Sequence, residues 1–215
     1  MPVTQPRSPR QEPPRSALLG AGVAATAILA LALALSPSAW AHHVDSMRPT
    51  ANYSAACAKT TTFCQTDNSV LTYFSEGSLN STSKGVITNV LSTQFEPTDL
   101  TVRWEAPPSY TGSAETDVIY QVNPTPLPRG VSGWTFCDDP ISSTRCDQHY
   151  VVFYSDFWAQ TITCHETGHA VGLTHGQQAS PALSNTDPSL ACMVAAGSNS
   201  LGLGAHNRSE INGAY

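Results

Sequence analysis

The chain has 215 residues, a length that favours one domain, or a two-lobed one, over several independent cores. Its formal net charge is −6, and the 174 residues after position 41 (215 − 41) carry 7 Lys and Arg against 15 Asp and Glu, a net charge of −8. This acidic balance argues against nucleic acid as a partner.

Residues 1–41 differ in composition from the rest and read as a signal peptide. A polar, Pro-rich start with three arginines is followed by an apolar run over residues 17–35, and Ala39-Trp40-Ala41 fits an A-x-A cleavage site. We therefore expect cleavage after Ala41 and a secreted, extracellular protein. The apolar run approaches the roughly 20 residues that span a bilayer, so a membrane anchor formed by residues 17–35 is the alternative.

After the proposed cleavage site, residues 42–69 are polar and mixed, and we expect an irregular segment there. Residues 70–74 form a short strand candidate. From Ser83 to Phe95 the apolar residues recur at helical spacing, which predicts an amphipathic helix with Ser81 or Ser83 as its cap.

Three further stretches are rich in β-branched and aromatic residues and predict strands, at residues 100–104, 117–122 and 150–154. Between the last two, residues 123–147 are rich in Pro and Gly without sustained periodicity, which predicts a long loop closed by a disulfide. A short terminal helix is expected at residues 209–214. Strand, helix, strands and a further helix together predict a mixed α/β or α+β sheet domain.

Residues 165–175 carry the chemical signal. They read His-Glu-Thr-Gly-His-Ala-Val-Gly-Leu-Thr-His, which matches the pattern H-E-x-x-H-x-x-G-x-x-H at every fixed position. On a helix, His165 and His169 share one face, so both imidazoles can bind one ion. His175 can reach the same ion only if the chain turns sharply, and Gly172 can adopt the positive φ that such a turn requires.

Three histidines leave the fourth position of a tetrahedral Zn²⁺ ion open for water, whereas a structural site would close it with a fourth protein ligand. Zinc lowers the pKa of bound water towards roughly 7 and polarises a carbonyl. Glu166, beside the ligands, is placed to accept the water proton and pass it to the leaving amine. The pattern therefore predicts peptide-bond hydrolysis with one catalytic zinc ion, and it gives no support for a structural calcium ion.

This motif resembles the signature of the metzincin clan of zinc endopeptidases, with a matrixin-like catalytic domain. The resemblance covers about residues 70–215, with motif support from 165 to 193. It implies an α+β, metzincin-like (zincin) fold: a small mixed β-sheet with a backing helix, an active-site helix, and a loop-rich C-terminal part with a Met-turn. Gly176, which follows the third histidine, fits none of the common subfamilies, so the subfamily is unassigned.

The clan pattern, carried over position by position, implies a role for six residues of this chain. These are zinc ligands His165, His169 and His175, general base Glu166, turn glycine Gly172 and Met-turn residue Met193. In the clan such a methionine packs beneath the histidines without binding the metal, and an ordinary core methionine is the alternative. Some relatives place a tyrosine two residues after the methionine, where this chain has Ala195.

All six cysteines follow position 41, and an even count in an exported chain predicts three disulfides, although six cysteines allow 15 connectivities. Cys164 precedes the first histidine and Cys192 precedes Met193, which favours a bond between the active-site helix and the Met-turn. The local pairs would then be Cys57–Cys64 and Cys137–Cys146. A free cysteine that binds the zinc in a latent form, as in some relatives, is the alternative.

The resemblance also bears on the substrate, because metzincins lay an extended polypeptide along an antiparallel edge strand, and residues 150–154 resemble that strand. The sequence thus predicts a signal peptide (1–41), an irregular segment (42–69) and a zinc metalloendopeptidase domain (70–215), in a monomer that acts on polypeptides. Two alternatives remain: a secreted metal-binding or interaction module with degenerate catalysis, and a zinc amidase that acts on a non-protein envelope substrate.

Overall fold

The structure, a computed structural model, describes residues 43–123, 131–154, 160–195 and 202–215. All of these belong to one compact unit, residues 40–215. The expected signal peptide, its apolar run at 17–35 and the cleavage site lie outside the described residues. Among the described helices, none is long and apolar enough to cross a membrane.

The described residues are built on a mixed β-sheet, in agreement with the sheet domain expected from the sequence. Its described strands are β1 (Gln65–Thr66), β2 (Val70–Ser75), β3 (Thr101–Trp104), β4 (Val118–Val122), β5 (Gly133–Pro140) and β6 (Arg145–Phe153). The strand order is β1-β6-β4-β2-β3, and all of these pairings are parallel. β5 pairs with β6 and is antiparallel to it.

Three α-helices pack around this sheet within the described residues: α1 (Ser81–Val90), α2 (Gln160–Ala170) and α3 (Ala205–Ala214). α1 continues into a π-helical turn, Leu91–Phe95, and Gly176–Gln178 and Pro188–Met193 form short 3₁₀ segments. The apolar positions of the predicted helix form its buried face, and Ile87, Val90, Leu91 and Phe95 pack in the same core cluster as sheet residues Leu71 and Val118.

The N-cap of α1 is Asn80, so the prediction of Ser81 or Ser83 was wrong. Asn80 has extended backbone angles, and its Oδ1 accepts a hydrogen bond of 2.9 Å from the amide of Ser83. A cap must precede the first helical residue for its side chain to reach the third amide, and both serines already lie inside the helix.

The prediction of a loop over residues 123–147 was wrong where the structure describes that stretch. β5 occupies 133–140 and the first part of β6 starts at 145, and the two strands form a hairpin crossed by the Cys137–Cys146 disulfide. Gly133, Pro140 and two aspartates weaken the strand pattern in the sequence. Pairing with a long buried neighbour overrides that weak local preference.

The assignment of residues 150–154 to the edge strand was also wrong. Residues 150–153 of this stretch belong to β6, which lies between β4 and β5 and is parallel to β4. Seven of its nine residues are buried, as expected of an interior strand covered on both faces. The antiparallel edge strand is β5, and its position depends on strand order, which a run of β-forming residues does not reveal.

Residues 42–69 were expected to be irregular, and β1 is the one regular element in the described part of this stretch, residues 43–69. The segment nevertheless packs closely against the chain that follows α2. Met47 forms a bridge with Leu173, and the amide of Arg48 donates a 2.9 Å hydrogen bond to the carbonyl of Gly172. The N-terminal segment therefore packs against the turn after α2 and holds it in place.

Candidate metal centre

The three histidines of the motif meet at one point. His165 and His169 lie on one face of α2, and His175 follows the turn after the helix. The Nε2 atom of His169 lies 3.0 Å from that of His165 and 3.1 Å from that of His175, and the third Nε2–Nε2 distance is also 3.1 Å. The structure thus brings together the three residues that the motif singles out.

The turn that carries His175 back to the helix depends on Gly172 for two reasons. Its φ is 97°, a left-handed value that other residues rarely adopt. In addition, a Cβ atom at this position would lie 2.7 Å from Cγ of Gln65 and 2.9 Å from Sδ of Met47. The positive φ agrees with the sequence argument, whereas the close approach of the N-terminal segment is visible only in the structure.

The hydrogen bonds of the imidazoles test whether these residues fit a metal ion. Nδ1 of His165 lies 2.8 Å from the carbonyl oxygen of Cys192, and Nδ1 of His169 lies 2.8 Å from that of Leu173. A carbonyl only accepts, so both Nδ1 atoms carry the proton and both Nε2 atoms present lone pairs. Converging lone pairs repel unless a cation binds them, and carbonyl-oriented imidazoles are typical zinc ligands. The residues fit zinc.

Burial also keeps the three imidazoles neutral, which is the form that binds a metal. It lowers the pKa of His165, and it lowers the pKa of His175 to about 4, with a smaller contribution from the neighbouring His165. The pKa of His169 lies well below its usual value, first because of burial and then because of the other two imidazoles. The site is therefore ready for a cation at neutral pH.

Phe63 packs against two of the three imidazoles, a contact that the sequence analysis missed. Its ring centroid lies 4.8 Å from that of His169 and 5.4 Å from that of His175. The adjacent Cys64 is bonded to Cys57, which ties down the loop that carries the phenylalanine. Phe63 immediately precedes Cys64 in the chain, but nothing in the sequence relates this loop to the motif.

Glu166 follows the first histidine on α2, and its side chain is 4% exposed. Its Oε2 atom accepts a 2.7 Å hydrogen bond from the hydroxyl of Thr135 on β5. Burial raises the pKa of the carboxyl to about 7, while the hydrogen bonds from Thr135 act in the opposite direction. A carboxyl with a pKa near neutrality can both take up and release a proton.

The segment that contains Met193 packs against α2 at Gly168. Met193 is buried, and a Cβ atom at Gly168 would lie 2.3 Å from its Sδ atom. The helical backbone is interrupted at Ala191, whose φ is 52°. Met193 therefore packs against a residue that lies between the first two histidines in the sequence, and its assignment as a Met-turn residue stays a prediction from the resemblance.

The six cysteines form three disulfides: Cys57–Cys64, Cys137–Cys146 and Cys164–Cys192. These are the pairs that the sequence favoured. Because no cysteine is free, the alternative of a free cysteine bound to zinc is wrong for this structure. Three disulfides indicate an oxidising compartment.

Two other groups of titratable residues contain potential metal-binding side chains. His149 and His206 lie outside the histidine cluster and contact Cys64 and Ser46 instead. Carboxylate oxygens of Glu115, Asp139 and Asp147 lie within 4.8 Å of one another. A group of acidic side chains does not by itself define a cation site, so a structural calcium ion stays unassigned.

Comparison with known proteins adds little to this picture. No protein-family model matches the chain, and no curated protein matches it. Among solved structures it is similar to high choriolytic enzyme 1, a hatching enzyme zinc-protease from Oryzias latipes, at 12% identity over 57% of this chain. The match spans 55% of that enzyme's chain, and its TM-score of 0.35 is too low to support a conclusion about fold or function.

Proposed function

We propose that the protein is a zinc-dependent peptidase. More specifically, we propose a secreted endopeptidase of the metzincin clan with a matrixin-like catalytic domain. One observation carries the proposal: three imidazole Nε2 atoms lie within 3.0–3.1 Å of one another, beside a buried glutamate. This glutamate, Glu166, directly follows His165 on α2, and its pKa is raised to about 7. This combination of ligands and base suits metal-assisted hydrolysis.

In this proposal His165, His169 and His175 hold the ion. Zinc bound there would supply Lewis acidity, for water and for the carbonyl of the scissile bond. Glu166 accepts a proton from water and delivers it to the leaving nitrogen. Thr135 contacts Oε2, so we assign the proton transfer to Oε1. Glu166 is not a ligand in this scheme.

The free backbone groups at the edge of β5 favour a polypeptide as the substrate. In an antiparallel pair, the backbone groups of successive residues point alternately towards the partner strand and away from it. The carbonyl of Ser132 accepts a hydrogen bond from the amide of Tyr154 and so points towards β6. The backbone groups of Gly133 and Thr135 therefore point to the outer edge. An extended peptide can pair with such an edge as an added strand. We propose that the substrate binds there.

The Cys57–Cys64 loop limits the length of this edge. The amide of Thr60 donates to the carbonyl of Cys137 at 2.8 Å, and the amide of Cys137 donates to the carbonyl of Thr61 at 2.9 Å. The loop thus occupies the edge at Cys137. A substrate strand would pair with the stretch around Gly133 and Thr135, on the same strand that contacts Glu166.

The test is cleavage of denatured casein by the purified protein, beside Glu166→Ala, with the zinc content of both proteins measured. We expect about one zinc per chain in both, cleavage by the wild type and none by the variant. Zinc binding without cleavage of casein would favour the non-peptide amidase or the interaction module, and digestion of cell-envelope fractions would separate these two. A protein that binds no zinc would refute the proposal.

A further inference from the structure

We propose that β5 fixes the position of the Glu166 side chain, and that Thr135 is a positioning residue for this base. The inference rests on the proposed function, since it concerns the group that moves the proton. Two residues on one face of β5 carry it: Thr135, which binds the carboxyl group, and Gly133, which leaves room for it.

Thr135 holds Glu166 at two points. Its Oγ1 atom lies 2.7 Å from Oε2 of Glu166 and 2.8 Å from the backbone oxygen of the same residue, and Thr135 is fully buried. The hydroxyl has a single proton, which these two acceptor oxygens share, so it lies between the carboxyl group and the helix backbone. One hydroxyl therefore fixes the carboxyl group relative to its own helix.

Gly133 sets the other boundary of the carboxyl group. A Cβ atom at this position would lie 2.8 Å from both Cγ and Oε1 of Glu166 and 3.0 Å from Cδ. All three atoms belong to the side chain of the base, so any substitution at Gly133 would move that side chain first. The absence of a side chain at Gly133 thus shapes the space that Glu166 occupies.

The strand that carries both residues is well anchored. Gly133 and Thr135 pair in register with Phe153 and Val151 of β6, and the next residue on the same face, Cys137, forms a disulfide with Cys146. Rigid elements position catalytic groups more accurately than loops do. Placement of Glu166 is therefore a property of the sheet as well as of α2.

The first test compares kcat and KM for peptide cleavage by the wild type, Thr135→Val, Thr135→Ser and a matched control, Thr116→Val. Thr116 is also buried and donates a hydrogen bond to a glutamate, Glu105, at 2.6 Å. We expect Thr135→Val to lower kcat about tenfold or more with KM and zinc content unchanged, and the serine variant to recover most of the rate. Thr116→Val should keep the wild-type kcat.

A second measurement does not depend on activity or metal. Thermal unfolding with a chelator present is compared for Thr135→Val, Glu166→Ala and the double variant, and we expect Thr135→Val to lower the Tm less when Glu166 is absent. Equal shifts in both backgrounds, or a Thr135→Val kcat within twofold of wild type, would overturn the inference. If the wild type cleaves no peptide, the proposed function fails. The unfolding comparison still shows whether the side chains of Thr135 and Glu166 interact.

Gly133→Ala provides an independent check on the same idea. The added methyl group meets only the Glu166 side chain among the nearest atoms, so we expect a lower kcat with unchanged zinc content. Gly85→Ala on α1, where a Cβ meets nothing within 4 Å, is the matched control. Wild-type kcat in Gly133→Ala would contradict the role assigned to this residue.

Discussion

His165 and Cys192 are linked twice. Nδ1 of the histidine lies 2.8 Å from the carbonyl oxygen of Cys192, and the sulfur of Cys192 is bonded to Cys164, the residue before the histidine. The first histidine of the motif therefore takes its orientation from a segment 27 residues further along the chain. The hydrogen bond sets the tautomer of His165 and the disulfide holds the helix, so both depend on the same residue, Cys192.

The Cys164–Cys192 disulfide should matter for both stability and metal binding. Replacement of both cysteines by alanine should lower the free energy of unfolding by about 3–4 kcal/mol, because this bond closes a 28-residue separation. It should also weaken zinc binding, as the carbonyl of Cys192 is then less well held. Denaturant unfolding and zinc titration provide the measurements.

The matched control for that prediction is the Cys137–Cys146 pair, which closes a separation of only 9 residues. Loss of this bond should destabilise the protein by about 1 kcal/mol less, because a shorter loop loses less entropy on closure. Zinc affinity should change less in this control. An equal loss of zinc affinity in both variants would show that the Cys164–Cys192 bond has no particular role at the metal centre.

Phe63 should contribute to zinc affinity although it binds no metal. Phe63→Ala removes the ring that packs against His169 and His175, so these imidazoles gain freedom that zinc binding must then remove. We expect zinc to bind about tenfold more weakly, a change typical of lost support around ligands. Competition with a chromophoric chelator measures it. Phe63→Leu keeps an apolar side chain, so its zinc affinity should lie between those of the wild type and Phe63→Ala. Unchanged zinc affinity in Phe63→Ala would contradict this role.

His149 should make the protein less stable in acid. Burial lowers its pKa to about 4, below the ordinary histidine value of 6.5, and its Nδ1 atom has no hydrogen-bond partner in the described structure. The folded state therefore binds fewer protons than the unfolded state between these values. This contribution to stability is fully present above pH 6.5 and is lost as the pH falls through 4, by about 3 kcal/mol.

The measurement is urea unfolding of the wild type and of His149→Gln at pH 7 and pH 4, with a chelator present. Glutamine can still donate to the carbonyl of Cys64, which lies 3.1 Å from Nε2 of the histidine. Other titrating groups are shared by both proteins, so the difference isolates His149. The variant should lose less stability between the two pH values, and an equal loss would count against the prediction.

Asp117 should have the opposite pH dependence. Burial raises the pKa of its carboxyl to about 8, with a further increase from Asp67, although hydrogen bonds from Thr72 act to lower it. The folded state thus binds a proton that the unfolded state releases near pH 4. This contribution to stability is fully present below pH 3.8 and is lost as the pH rises through 8.

We compare the free energy of unfolding of Asp117→Asn with that of the wild type at pH 5 and at pH 9. The difference should shift in favour of the variant by more than about 1 kcal/mol from pH 5 to pH 9. An asparagine oxygen can still accept the 2.6 Å hydrogen bond from the amide of Thr72 without a buried negative charge. Asp99→Asn, an exposed position, removes the same charge and is the control. A stability difference that does not change with pH would contradict the assignment to Asp117.

Local patterns in the sequence were sufficient for several features. The strands at 70–75, 101–104 and 118–122, the helix that buries Ile87 and Phe95, and the terminal helix all follow from residue periodicity and type. The His165–His175 spacing, with a glycine between, predicted that three imidazoles converge. These features depend on neighbours a few residues apart, and helical and strand geometry relate such neighbours directly.

Contacts between residues far apart in the chain were decided by the tertiary structure. Residues 150–154 have the composition of a strand, yet only strand order shows that β5 is the edge. Gly176 fits no common subfamily, and the structure gives a reason for a glycine: a Cβ there would lie 2.4 Å from the carbonyl oxygen of Ser184. Composition does not encode such approaches.

The sequence by itself thus determined which residues can bind a metal and which can act as a base, because chemical identity and helical spacing are local properties. The tertiary structure decided what orients them: Cys192 for His165, Phe63 for His169 and His175, and Thr135 with Gly133 for Glu166. These supports come from segments 27 to 112 residues from the groups that they position (192 − 165 and 175 − 63). Only packing of the whole unit brings them together, since burial and shape rather than sequence proximity select such contacts.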